Sequence, residues 1–128
     1  MKYEKYDIVI VEDNENDAEL IVRTLKKIQV TNNMIVLVDG EQALDFLFCK
    51  RQYSSREKSS VPKVIFLDIK LPKVNGLDVL KQLRSNEHTK GIPIVMLTSS
   101  KQGSDVKAAY DLGANSYVVK PIDYKKFK

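Results

Sequence analysis

Long hydrophobic runs are missing from this 128-residue chain, and its longest apolar stretches are far too short to cross a bilayer. The opening MKYEKYD lacks the apolar segment of a secretory leader, so the expected compartment is the cytoplasm, with no membrane partner. One cysteine, Cys49, rules out an internal disulfide and has no CxxC companion. In its helix-like stretch it reads as a small apolar residue, buried or half-buried. One histidine, His88, sits in the polar RSNEHTKG with no second His or Cys nearby, so it reads as a solvated loop residue rather than a ligand or base. The motif GxxxxGK[ST] is absent, which excludes a P-loop enzyme.

What is present fits one globular domain over residues 1–128, with 43% hydrophobic and 30% charged residues. The net charge is +4 and the isoelectric point is near 9.1. The cations are spread along the chain, apart from KRQYSSREK and the terminal YKKFK. Neither cluster has the aromatic or glycine pattern of a nucleic-acid surface, so no direct nucleic-acid binding is expected.

Strand-like and helix-like patterns alternate throughout. YDIVIVE, MIVLV, KVIFLD, IPIVMLT and SYVVK read as five strands. Between them, Ala18, Ile21, Leu25 and Ile28 mark a first helix, with Asn14 or Asn16 as N-cap. Ala43, Leu44, Leu47 and Phe48 mark a second, and Leu77, Leu80 and Leu83 a third. Val106, Ala109 and Tyr110 share a face of the fourth, with Gly113 as C-cap. Strands joined through helices run parallel, and right-handed crossovers place helices on both faces, giving a doubly wound α/β fold. Residues 50–62 form a long polar connection, expected to be a flexible or partner-facing loop. PIDYKKFK starts a helix, capped by Asp123, that is truncated after about one turn at 3.6 residues per turn, so the chain is expected to continue past Lys128.

In an open parallel sheet the functional crevice lies at the carboxyl ends of the strands. Those ends carry Glu12 and Asp13, then Asp68, then Thr98 and Ser99, then Lys120. If strands one and three are neighbours, about 4.8 Å apart, Asp13 and Asp68 come within reach of one ion. Three carboxylates this close would repel by roughly 4 kcal/mol per pair at 4 Å and an effective dielectric near 20. A hard divalent cation such as Mg²⁺ settles that repulsion best, and Lys120 can add one more positive charge.

The acids of VED, the acid of FLDIKLPKVNGLDVL, the threonine of IVMLTSS and the lysine of SYVVKP resemble, in order and spacing, the receiver domain of two-component response regulators. The likeness runs from about Tyr6 to the end. It implies a flavodoxin-like fold with strand order 2-1-3-4-5, the order that chemotaxis receivers also follow. It implies that Asp68 accepts a phosphoryl group from the phosphohistidine of a sensor histidine kinase. Asp13, Asp68 and the backbone carbonyl of Lys70 would hold Mg²⁺, with Glu12 acting through a water. Thr98 and Lys120 would contact the phosphoryl oxygens, Lys120 and Pro121 would be joined by a cis peptide, and Tyr117 would be the switch aromatic.

The chain departs from the family pattern in three places. Glu12 replaces the commoner Asp, Lys70 occupies a position that influences dephosphorylation, and the fifth helix is cut short. The long loop before strand three, with VDGEQALDFL, is similar to the small single-domain regulators that partner phytochrome-type kinases. An aspartate-nucleophile phosphatase would need a second acid where Lys70 stands. A flavodoxin-like electron carrier needs a first loop that cradles phosphate, and EDNEND would repel one. The downstream target and the choice between monomer and homodimer stay open.

Overall fold

A computed structural model describes residues 6–28, 33–57, 61–98 and 103–120. Among these, five strands form one parallel sheet: β1 (Ile8–Val11), β2 (Met34–Leu37), β3 (Val64–Asp68), β4 (Ile94–Thr98) and β5 (Ser116–Val119). Their order is β2-β1-β3-β4-β5, as the resemblance implies. Four helices connect them: α1 (Glu15–Lys27), α2 (Gly40–Leu47), α3 (Gly76–Arg84) and α4 (Gly103–Asp111). None of the described helices is long and apolar enough to cross a membrane.

The unbroken apolar runs of β1, β3 and β4 follow from burial on both faces. Ile8, Ile10, Phe66 and Leu97 point to one side, where they meet Ile21 and Leu25 of α1. Their neighbours Val9, Val11, Ile65, Leu67, Ile94 and Met96 point to the other, against α2, α3 and α4. Edge strand β2 is less covered, and Val36 is 38% exposed. Residue pairing Val11↔Leu67 and Asp68↔Leu97 brings the carboxyl ends of β1, β3 and β4 level, which is what assembles the site.

Helix starts follow the capping logic. Asn14, rather than Asn16, caps α1 by accepting from the Asp17 amide at 3.0 Å; Asp39 and Asn75 cap α2 and α3 in the same way. After α4 the Ala114 amide reaches back to the Ala109 carbonyl at 2.9 Å with Gly113 at φ +102°, the expected helix end.

Some expectations are corrected. Tyr110 does not share the buried face of α4: it is 49% exposed, while Ala109 is fully buried and Val106 half-buried. The packed face is centred on Ala109, and a residue one step along lies about 100° round the helix. In α2 the fully buried ring is Phe46, whereas Leu44 and Phe48 are only partly covered and Phe48 lies past the helix end. Nor is the connection after α2 a free loop over its described residues. A 3-10 turn at Arg51–Tyr53 folds it back. Tyr53 packs edge-on against Phe46 at 5.0 Å and receives a hydrogen bond from Gln42, while the Arg56 guanidinium stacks 3.8 Å from the Phe46 ring centre. A buried arginine is tolerated here because its flat face covers an aromatic ring while an N–H reaches the Phe46 carbonyl. Cys49 is half-buried beside Arg56, and His88 is exposed. The expected fifth helix, its Asp123 cap and the Pro121 peptide lie outside the described residues.

At the end of the sheet remote from the acids, Arg84 ties three segments together. Its Nε donates to the Gly113 carbonyl at 2.9 Å, and its Nη1 to the carbonyls of Lys90 and Ile92 at 2.9 and 2.7 Å. Its Nη2 donates to Asn115 Oδ1, which also accepts from the Ile94 amide that opens β4. Arg84→Met keeps the stem but strands these acceptors, and is expected to destabilise the fold by about 2–3 kcal/mol. Urea unfolding measures this, and a loss under about 0.5 kcal/mol, the size of an ordinary surface substitution, would show the hydrogen bonds to be idle.

Candidate functional site

The ends of β1 and β3 and the first turn of α1 converge on one ammonium, carried just past the end of β5. The backbone of Lys120 is anchored just past β5 by donating its amide to the Thr98 carbonyl at 2.8 Å. From there its Nζ donates to Glu12 Oε1, to Asp68 Oδ2 at 2.9 Å and to Asp17 Oδ2 at 3.0 Å. Asp68 ends the central strand β3, 5% exposed, and its Oδ1 accepts from the Lys70 amide at 3.3 Å. Glu12 follows β1 and is 1% exposed; its Oε2 accepts from the Asn14 amide at 3.1 Å. Asp13 is exposed, yet one oxygen each of Glu12, Asp13 and Asp68 lie within 4.8 Å of one another. The structure therefore brings together every acid the sequence places here.

Asp17 is not among the acids that the sequence pattern singles out. An acid in the first turn of a helix is ordinarily explained by the helix dipole, which favours negative charge there. Only the folded sheet, which brings Lys120 across 103 positions of sequence, shows its second role.

The electrostatics are unbalanced. Among the described residues three carboxylates share one ammonium, and a fourth, Asp13, lies within 4.8 Å of two of them. Burial pushes the Glu12 carboxyl up to about 7, against the Lys120 and Asn14 hydrogen bonds that pull it down, and the Asp68 charge adds to the rise. Burial by itself would lower the Lys120 ammonium, but its hydrogen bonds to Glu12, Asp68 and Asp17 outweigh it and raise the group above the ordinary lysine range. The oxygen-only donor set with excess negative charge fits a hard divalent cation.

Thr98 ends β4, fully buried, next to the end of β3. Tyr117 in β5 is half-buried; burial first, and then the Asp105 charge, raise its phenol, and a side-chain hydrogen bond with Thr98 opposes the rise. Threonine and tyrosine are thus already coupled. A separate recess of about 170 Å³ between Leu47, Phe48, Lys50, Asn86 and His88 contains none of these residues.

Comparison with known proteins gives the arrangement its family. Residues 8–128 match the response regulator receiver domain. The bacteriophytochrome response regulator RtBRR superposes with a TM-score of 0.87 at 48% identity, covering 97% of this chain and 74% of RtBRR. Response regulator Rcp1 of Synechocystis is 38% identical over 118 residues, 92% of this chain and 78% of Rcp1. The structure of its Mn²⁺-bound form superposes with a TM-score of 0.83, covering 94% of this chain and 85% of that one. The phosphorylated cyanobacterial phytochrome response regulator RcpA, 32% identical, superposes equally well at 0.83, covering 96% and 86%. This chain belongs to the response regulator receiver domains of two-component systems, signalling modules that partner sensor histidine kinases and are phosphorylated on an aspartate.

Proposed function

We propose that Asp68 is the aspartate that receives the phosphoryl group, in a Mg²⁺-dependent transfer from a histidine kinase of the phytochrome type. The observation that carries this is the place of Asp68: at the end of the central strand, with one carboxylate oxygen on the Lys120 ammonium and the others of the acidic cluster within 4.8 Å.

A carboxylate is a weak nucleophile, so its reaction depends on position and on charge stabilisation. An oxygen of Asp68 forms the new P–O bond as the P–N bond of the phosphohistidine breaks, and the departing imidazole takes up a proton. Asp13, Asp68 and the backbone carbonyl of Lys70 would hold the cation, with Glu12 reaching it through water. When bound, Mg²⁺ supplies positive charge opposite the phosphoryl oxygens. Lys120 does the same from the far side, giving up carboxylate contacts to meet the incoming dianion. The fully buried hydroxyl of Thr98 donates to a phosphoryl oxygen, and Tyr117, now hydrogen-bonded to Thr98, is released to change rotamer. Phosphorylation thereby shifts a two-state equilibrium of the face around α4 and β5. The same site catalyses return to the resting state when water attacks the phosphorus: the P–O bond to Asp68 breaks, inorganic phosphate leaves, and the carboxylate is restored.

The support for a phytochrome-type kinase is the company of RtBRR and RcpA. Incubation with acetyl phosphate and Mg²⁺ is expected to add one labile phosphoryl group, located on Asp68 by borohydride reduction and peptide mapping. An unmodified protein would overturn the reading, and modification that persists in EDTA would overturn the metal assignment. Transfer from a phytochrome-type kinase is expected to outpace transfer from an unrelated histidine kinase; equal rates would remove the kinase assignment alone.

A further inference from the structure

The loop that follows Asp68, residues 69–75, is held at both ends by close backbone contacts. At its inner end the Gly76 amide donates to the Ile69 carbonyl at 2.6 Å, and a Cβ on Gly76 would stand 1.9 Å from the Asp68 carbonyl oxygen. At its outer end it rests on the start of α2. The Gly40 amide donates to the Pro72 carbonyl at 3.2 Å, and a Cβ on Gly40 would stand 1.8 Å from the Val74 carbonyl oxygen and 2.8 Å from the Val74 Cβ. Lys73, in a left-handed conformation at φ +68°, reaches Asp39 Oδ2 at 3.8 Å, while Asp39 Oδ1 caps α2. Lys70 lies between these two anchors.

We infer that Gly40 is a positioning residue for cation binding: with no Cβ, it lets the 69–75 loop seat against α2 and so sets the place of the Lys70 carbonyl. This rests on the metal assignment above. A Cβ at position 40 demands that the Val74 carbonyl retreat from 1.8 Å to at least 3.0 Å, over an ångström. The inner anchor cannot share that movement, because Gly76 is pressed on the Asp68 backbone. The displacement is therefore taken up between residues 70 and 75. Ligand distances tolerate only about 0.2 Å, and Mg²⁺ in particular demands near-ideal octahedral geometry. Gly40 carries no charge and touches none of the site's side chains, so its effect is confined to geometry.

Gly40→Ala is expected to raise the Mg²⁺ dissociation constant, read by calorimetric titration with no phosphodonor present, at least about tenfold, the usual scale for losing support behind a metal ligand, and to raise the Mg²⁺ concentration for half-maximal phosphorylation by acetyl phosphate in step. The rate at saturating Mg²⁺ should stay within a factor of about three, since Asp68 and Lys120 are untouched and far less than the roughly hundredfold loss of a misplaced reacting group is at stake. Gly91→Ala is the control, because a Cβ there meets nothing within 4 Å. It should match the unsubstituted protein. A folded Gly40→Ala with unchanged Mg²⁺ dependence, or with an equal loss at saturation, overturns the inference. Circular dichroism establishes folding. If Gly40→Ala does not fold, Lys73→Met decides the matter, because removing a cation through space strengthens Mg²⁺ binding, whereas freeing the outer end of the loop from Asp39 weakens it. The Asp39 cap is kept, and Mg²⁺ affinity in the same titration should fall about two- to threefold, well short of the roughly tenfold loss of a ligand's full support; unchanged or tighter binding overturns the inference. Failure of the unsubstituted protein to accept phosphoryl at any Mg²⁺ concentration would instead sink the function proposed above.

Discussion

Asp68→Asn is expected to lose phosphoryl acceptance completely and, in EDTA, to melt at a higher temperature than the unsubstituted protein. The loss follows from chemistry: an amide oxygen has no full negative charge to direct at phosphorus, and its acyl phosphate counterpart cannot form. The gain follows from the charge imbalance. Asp68 is 5% exposed and shares Lys120 with Glu12 and Asp17, while Asp13 stands nearby. Each close pair of like charges repels by roughly 4 kcal/mol at 4 Å and an effective dielectric near 20. The substitution removes several such repulsions and one buried charge, against a single lost attraction to Lys120 that an amide oxygen partly keeps as a hydrogen bond. A net gain of about 1–2 kcal/mol corresponds to a rise of several degrees in a domain of this size. Saturating Mg²⁺ should narrow the gap, because a cation bound to the folded state stabilises the full acid set more than the depleted one. Calorimetric melts with and without Mg²⁺ check both halves. A lower melting temperature for Asp68→Asn in EDTA would show that the acids are not a strained cluster.

Burial and charge also decide which parts of this protein can be read before folding. The central strands are legible because burial on two faces forces unbroken apolar runs such as IVIV and VIFL, and the site acids are legible because they interrupt those runs at one end only. The order of the sheet comes with the family likeness, not from any strand's own residues. Asp17 is hidden because it already has a sufficient local reason, the positive end of α1. Tyr53 and Arg56 are hidden because KRQYSSREK looks solvated residue by residue. An arginine lying flat on Phe46 and a tyrosine set on edge against it are packing facts of the tertiary fold. Tyr110 misleads for the opposite reason: helical spacing names a face but not how wide the covered part is, and only Ala109 meets the sheet squarely. Gly40 looks like an ordinary residue after a helix cap; that a carbonyl oxygen occupies the space of its missing Cβ is visible only once the 69–75 loop is in place.

Lys120→Met tests the other side of the charge balance, and its effect on stability should depend on pH. The substitution keeps the apolar stem but leaves Glu12 and Asp68, 1% and 5% exposed, without their shared cation. Removing one partner from a buried ion pair destabilises by about 3–5 kcal/mol, and in EDTA at pH 8 that is the expected loss. The folded state can reduce the penalty by protonating Glu12, whose carboxyl is already lifted to about 7 by burial and loses, with Lys120, the hydrogen bond that held it down. A carboxyl raised above its unfolded value binds its proton more tightly in the folded chain. Its contribution to stability is therefore full below the unfolded pKa of 4.5 and disappears as the pH climbs through the folded one. In the unsubstituted protein that decline runs from about pH 4.5 and is complete a little above pH 7; without Lys120 it extends to higher pH. At pH 5 Glu12 is largely protonated in either folded protein, so the difference between them should shrink to what Asp68 and Asp17 lose. Urea unfolding in EDTA at pH 5 and pH 8 measures this, and a penalty equal at the two values would show that Glu12 is not the group responding. Phosphoryl acceptance should fall by about 10²–10³, the scale of removing one preorganised charge from a transition state. Mg²⁺ should restore much of the lost stability and little of the lost rate, because a cation can balance the acids but cannot meet the phosphoryl group from the side of β5.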